Sequence, residues 1–405
     1  MARIPLILLV AILLWTLGSG TRGANAASDF EAFLDELWPQ AQSRGVTRAT
    51  FDLAFAGLAP DPGVLAATRS QPEYSKSMQA YLSSSVSPGR VAAGQRNAAR
   101  WGDTLAAIER EFGVDRFVIL AIWGVESDYG SYKPTKNVIR SLATLANAHY
   151  RDPLFRDELL AALEILEGGH VTPDAMMGSW AGALGQCQFL PSSFLNWAVD
   201  FSGDGKRDIW SNVPDVLASI ASYLRAHGWS AELPWGFEVV IPPGFDYQRS
   251  RASFQEWAAL DVRRTDGGRF PEQRNAILFF PAGAGGPAFL VTDNFVVIKR
   301  YNDSDAYALA VAHLSDRLRG LAPIQAPWPA IDPPLTRDER IALQRALAQL
   351  GHKINDFAGH LDFDLRDVVR ALQAKAGKLP DGYPDRALLD LVRAKSQPTA
   401  TKKVD

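Results

Sequence analysis

One carboxyl in this chain is well placed to handle a proton. Phe117 to Val125 is apolar or small throughout, which predicts a short helix with no polar face, and such a helix belongs inside a core. Glu126 closes that run in what should be the last helical turn, where burial and the helix macrodipole both work against a negative charge. Both effects raise its pKa, so Glu126 is expected to hold a proton near neutral pH, as a general acid must. A structural Glu satisfied by an arginine or by backbone donors is the alternative. Asp128, two residues on, would face elsewhere on a helix.

Two further stretches carry chemistry. From Met177 to Phe194 the chain combines Gly178, Gly182 and Gly185 with Ser179, Gln186 and Gln188 beside Trp180 and Phe189. Glycines let a backbone approach a bulky partner, and neutral amides next to aromatic rings suit a carbohydrate with its hydroxyl edges and C–H faces. The absence of Lys and Arg from this stretch argues against phosphate; close packing of helices through small residues is the competing reading. Asp200, Ser202, Asp204 and Asp208 have the one, three, five, nine spacing of a calcium loop, with Gly205 at position six. Position twelve is Ser211 instead of the usual Glu, and an Asx-rich turn competes with metal binding. Cys187 reads as a buried small residue, because no His lies in a paired motif with it.

The elements that must position these residues follow from periodicity. Helical patterns are predicted over Ser28–Gly57, Val91–Phe112, Ile139–His149, Leu154–Gly168, Pro214–His227 and Asp303–Leu318. Asp115 is a candidate N-cap for the helix of Glu126. Pro72 to Tyr81 reads as looser, Ser83 to Pro88 as a turn. Phe237–Ile241, Ala276–Phe280 and Phe289–Lys299 are rich in Val, Ile and Phe and predict strands or extended segments. Five prolines between Ala322 and Pro334 make a semi-rigid linker of residues 321–334. Beyond it, residues 335–394 predict a small three-helix module with a disordered tail from about Lys395.

Composition bounds the class. With 405 residues, 47% hydrophobic and 21% charged, the chain suits a globular protein of two or three domains. Residues 1–26 read as a signal peptide: Arg3, then the apolar run Ile4 to Leu17, then Ala24-Asn25-Ala26 as a cleavage site. A retained anchor is the alternative. Removing them takes away two arginines and no acid, so the net charge moves from −3 to −5, which argues against nucleic acid as a partner. A single cysteine excludes an intramolecular disulfide and none follows the apolar run as a lipid-attachment site, so the expected location is a bacterial periplasm.

Trp123-Gly-Val-Glu-Ser-Asp-Tyr-Gly130, the Gly178–Phe194 stretch and Asn294-Phe-Val-Val-Ile-Lys-Arg-Tyr-Asn-Asp-Ser-Asp-Ala-Tyr307 together resemble the lytic murein transglycosylase B family, in order through most of residues 28–320. The resemblance implies a mainly α (α+β) fold, with a lysozyme-like helical catalytic domain and a small strand-containing subregion. It implies that Glu126, as acid and then base, cleaves the β-1,4 bond of peptidoglycan with attack by the muramoyl C6 hydroxyl, giving a 1,6-anhydro product. By position, Ser179 and Gln188 resemble substrate contacts, and Tyr301, Asn302 and Tyr307 resemble groups lining the cleft. Arg151 resembles an arginine that reaches the peptide or lactyl carboxylate, although His149-Tyr-Arg-Asp152 departs from the paired basic residues of relatives. The family also implies no required cofactor, with calcium held in a structural loop of some relatives. Residues 335–394 resemble a peptidoglycan-binding domain, through Leu343–Gly351, Ala371–Gln373 and Leu379–Pro384, while Asp356–Asp362 lacks its usual glycine and threonine pattern. The expected partners are peptidoglycan glycan strands and other cell-wall enzymes, with the chain acting as a monomer. A water-admitting muramidase and a catalytically silent wall-binding scaffold are the rivals.

Overall fold

A computed structural model describes residues 20–68, 76–272, 274–330 and 334–396, with side chains from residue 28. The expected leader falls largely outside these residues, as do residues 72–75 of the segment expected to be looser, Pro72 to Tyr81, and the expected tail beyond Ser396. Helices run over Gly20–Ser43 (α1), Arg48–Phe55 (α2), Pro62–Ala67 (α3), Met78–Ser85 (α4), Pro88–Arg100 (α5), Gly102–Phe112 (α6), Arg116–Ser127 (α7), Val138–Asn147 (α8), Leu154–Glu167 (α9), Pro191–Trp197 (α10), Val213–Ala226 (α11), Phe254–Ala259 (α12), Asp293–Tyr301 (α13), Asp305–Leu318 (α14), Arg337–Gln349 (α15), Phe363–Lys375 (α16) and Arg386–Ser396 (α17). Strands are Lys136–Asn137 (β1), Met177–Gly178 (β2), Gly236–Val240 (β3), Arg251–Ser253 (β4), Arg263–Arg264 (β5), Asn275–Phe279 (β6) and Ala288–Val291 (β7). The expected mainly helical fold with a small antiparallel sheet is the one found. No helix of the described residues is long and apolar enough to cross a membrane.

The chain divides into two units. One comprises the described part of Met1–Arg69 with Pro134–Gly185 and Phe189–Leu195. Its centre is the pair α8 and α9, against which α2 and α3 pack. The single helix expected over Ser28–Gly57 is broken: Gly45 at φ +85° ends α1, and Thr47 restarts the chain as α2 by accepting from the Thr50 amide at 3.3 Å. β1 and β2 pair antiparallel, Lys136 opposite Gly178.

The other unit comprises Ser70–Lys133, Gln186–Gln188 and Asn196–Asp405. In it α7 packs against α14, α11 and α5. The expected helix over Val91–Phe112 is divided at Trp101 into α5 and α6, and α4 extends through part of the expected turn because Ser77 caps it and Ser87 caps α5. An antiparallel sheet in the order β4-β6-β7-β3-β5 covers Phe254 and Trp257 of α12. Phe289–Lys299 is extended only as far as Val291. Thr292 accepts from the Asn294 amide at 3.3 Å and starts α13, so a local cap overrides the strand preference of Val296, Val297 and Ile298. The Pro-rich segment is pinned: the amides of Gln325 and Ala326 donate to the Glu238 carboxylate on β3 at 2.8–3.0 Å. Helices α15, α16 and α17 close a core of their own around Leu343, Leu347, Val369 and Leu388.

Candidate active site

Glu126 is presented by a helix that the sequence builds locally. Asp115 caps α7, accepting from the Phe117 and Val118 amides at 2.8 and 3.3 Å, and Val118 to Gly124 are all buried. Asp128 ends the helix in the left-handed region at φ 49°, ion-paired with Arg90 at 3.2 Å. The chain then folds back so that the Tyr129 ring packs edge-on against Trp123. Only glycine fits at 124, since a Cβ there would lie 2.6 Å from the Tyr129 ring. Gly130, at φ +76°, likewise clears the Gln186 amide, which a Cβ would meet at 2.2 Å. Gln186 is spent inside the protein: it accepts from Trp123 Nε1 at 2.9 Å and donates to the Trp210 carbonyl at 2.8 Å.

Glu126 is half-buried, and the hydroxyl of the fully packed Tyr307 donates to its Oε1 at 2.6 Å. Tyr307 stacks on Tyr301, with ring centroids 6.4 Å apart, and Tyr301 leans on Tyr223 at 4.8 Å. Burial, and next the charge of Glu126, hold the Tyr307 hydroxyl well above the ordinary phenol range. Burial does the same for Tyr301, whose hydroxyl donates to the Cys187 carbonyl at 2.7 Å. That bond, with the Gln186 amide on the Ile209 carbonyl at 2.8 Å, fixes the turn that leaves Gln188 half-buried in the left-handed region at φ 52°. A non-glycine residue held there is strain of the kind that concentrates at binding sites. The structure thus brings Glu126, Tyr301 and Tyr307 together, with Gln188 beside the carbonyl that Tyr301 grips. Asn302 is exposed at the end of α13. A carboxyl bonded to a phenol that keeps its proton can alternate between acid and carboxylate without losing that partner.

Sequence reasoning missed Tyr223, the base of this aromatic stack, whose hydroxyl donates to the Arg300 carbonyl at 2.5 Å. Its place on α11 was legible, but nothing local marks it. Ser179 and Arg151 lie in the other unit. Ser179 Oγ accepts from the Ala181 and Ala183 amides at 3.2 and 3.1 Å, closing its own loop. The glycines around it serve close packing: a Cβ on Gly178 would meet the Ala183 carbonyl at 2.1 Å, one on Gly182 the Leu142 side chain at 2.4 Å. Arg151 is exposed at φ 50°, with its guanidinium over the Tyr150 ring.

Asp200, Ser202, Asp204 and Asp208, the expected metal ligands, lie in one loop that is tied together by its own hydrogen bonds. Asp200 accepts from the amides of Gly203 and Gly205 at 2.7 and 2.8 Å and from the Ser202 hydroxyl at 3.3 Å. Asp204 accepts from the Lys206 amide, and Asp208 from the amides of Trp210 and Ser211. Asp215, fully buried, accepts from the amides of Phe201, Ser202 and Asp208 at 3.0 Å each, and burial raises its pKa. The oxygens are engaged with the loop's own hydrogens. Among the described residues no group of three or more His, Cys, Asp or Glu side chains is placed to hold a metal ion.

The family model of the transglycosylase SLT domain matches residues 29–316, and that of a peptidoglycan binding domain matches residues 336–392. SltB3 from Pseudomonas aeruginosa, solved in complex with NAG-anhNAM-pentapeptide, is 47% identical with a TM-score of 0.81, over 90% of this chain and 99% of that one. Membrane-bound lytic murein transglycosylase B of Escherichia coli (strain K12) is 33% identical over 253 residues, 60% of this chain and 68% of the relative. The Escherichia coli lytic transglycosylase SLT35, solved in complex with calcium, is 27% identical with a TM-score of 0.61, over 72% of this chain and 92% of that one. A family model that runs from within α1 to within α14, and covers Glu126 and its tyrosines, means that this chain belongs to the lytic murein transglycosylase family.

Proposed function

We propose that this chain is an exported, periplasmic lytic transglycosylase that cleaves the β-1,4 bond between N-acetylmuramic acid and N-acetylglucosamine, with Glu126 as its acid and its base. Glu126 gives its proton to the glycosidic oxygen, and that bond to the muramoyl anomeric carbon breaks. The C6 hydroxyl of the same sugar attacks the anomeric carbon, and Glu126, now a carboxylate, takes the hydroxyl proton. A 1,6-anhydro ring forms, no water is consumed and the enzyme is returned to its starting state. Ordinary glycosidases need a second carboxylate as nucleophile or base; here the nucleophile is tethered to the substrate and already oriented.

The observation that carries this reading is the setting of Glu126: one carboxyl held by Tyr307 at 2.6 Å, with the neighbouring Asp128 committed to Arg90. The anhydro sugar bound to SltB3 supports it. Ser179, Gln188, Tyr301 and Asn302 are the proposed sugar contacts, and Arg151 the proposed contact of the peptide or lactyl carboxylate. Residues 1–26 would be removed on export, 28–320 carry the reaction, 321–334 link, and 335–394 bind wall. No step needs a cofactor. Incubated with peptidoglycan, the mature chain is expected to release muropeptides lighter by one water than lysozyme products, and Glu126→Gln to lower the rate by about 10³-fold. Mass spectrometry decides it: reducing-end products would make the chain a muramidase, and pelleting on insoluble wall without products would make it a scaffold.

A further inference from the structure

The C-terminal module is joined to the catalytic machinery by buried charge. Asp305 opens α14, two residues before Tyr307, and the cap of the same turn, Ser304, accepts from the Tyr307 amide at 3.3 Å. Asp305 Oδ1 lies 2.7 Å from Lys299 Nζ, and Oδ2 lies 2.6 Å from Arg366 Nη2 on α16 of the module. All three side chains keep a tenth or less of their surface exposed. Lys299 also donates to the module carbonyl of Leu361 at 3.0 Å, and Arg366 to that of Gly382 at 3.2 Å. His360 of the module sits 3.1 Å from Asp303, and Phe363 packs edge-on against Phe279 of β6. The turn between α13 and α14, which carries Asn302 and leads into Tyr307, is therefore gripped from the module side.

A module that only tethers an enzyme to its polymer needs none of this, since a flexible linker raises local concentration equally well. Burying an aspartate, a lysine and an arginine together costs desolvation, and removing one partner strands the others. What such a network supplies is a fixed position. We infer that Arg366 is a positioning residue for the reaction: through Asp305 the C-terminal module holds the first turn of α14, and with it the Tyr307 hydroxyl, against Glu126. The inference rests on the transglycosylase reading for its activity arm and on geometry alone for its exchange arm.

The test uses the full mature chain and a soluble, uncrosslinked glycan of a few disaccharides, on which wall tethering has no influence. Arg366→Met is expected to lower kcat about 10-fold, because small misplacements of catalytic partners are costly, with KM within about two-fold of wild type. Arg366→Lys is expected to restore part of the loss. In a Tyr307→Phe background Arg366→Met should cause no further loss, as residues acting through one another are not additive. Wild-type kcat in Arg366→Met, or the same fold-loss with and without the Tyr307 hydroxyl, overturns the inference. Independently of any activity, amide hydrogen exchange over residues 303–308 should be faster in Arg366→Met at a temperature where circular dichroism shows it folded; unchanged exchange overturns the inference. A wild-type chain that yields reducing ends or no product would count against the transglycosylase reading, and the exchange arm would then decide the positioning role by itself.

Discussion

At the scale of single residues the site depends on a phenol that burial keeps protonated. Burial and the neighbouring Glu126 hold Tyr307 well above its ordinary range, so its hydroxyl remains a donor at every pH the enzyme would meet. Tyr307→Phe removes one hydrogen bond to the carboxyl, an interaction of about 1.5 to 3 kcal/mol, and is expected to lower kcat about 10-fold or more. The ratio of wild-type to Tyr307→Phe rates, measured across pH 5 to 9, should not shrink toward the alkaline end. Convergence there would mean that the tyrosine ionises and that its raised pKa is wrong. Gln186 teaches the opposite lesson. Its composition suits sugar recognition, but both ends of its amide are engaged with Trp123 and Trp210.

At the scale of elements, the loop from Asp200 to Asp215 is organised by a buried carboxylate. Asp215, in the first turn of α11, gathers three backbone amides of the loop that precedes the helix, and its carboxyl lies at the end of the helix where the dipole favours a negative charge. Asp215→Ala strands those donors and is expected to cost about 3 kcal/mol in a denaturant titration. Because the loop is closed by these bonds, a chelator should leave the melting temperature unchanged. A chelator-induced drop, reversed by calcium, would show that a metal holds the loop. The one, three, five, nine spacing was legible in the sequence; the amides that these oxygens accept from were not.

At the scale of the molecule, buried carboxyls on α14 respond to pH with opposite signs. Asp305 is held down to about 2, against burial, by Lys299 and Arg366. Its stabilisation is complete above the unfolded value of 3.8 and is lost as pH falls toward 2. Asp316 accepts from Trp235 Nε1 at 3.2 Å, and burial pushes it up to about 6. Its folded form binds the proton more tightly than its unfolded form, so stability falls as pH rises from about 4 to 6, and the penalty stays in place above that. Asp316→Asn keeps an acceptor for the indole and removes the charge. It is expected to raise the melting temperature at pH 7.5 and to give no gain at pH 3.5. A gain at both, or at neither, would contradict the raised pKa.

The amino-acid sequence by itself determined α7 and its cap, the acid at its end, the helical module and the family, because these rest on signals within a few residues: apolar spacing at the helical period, an aspartate before the first turn, motifs in order. It misjudged Phe289–Lys299, where a capping threonine outweighs β-branched side chains, and it joined α5 to α6 through Trp101. What only the tertiary structure decided is the pairing of groups far apart in the chain. Tyr307 reaches Glu126 across 181 residues and Arg366 reaches Asp305 across 61. The reason is physical: backbone geometry follows from near neighbours, whereas the partner that satisfies a buried donor or charge is chosen by the packing of whole elements.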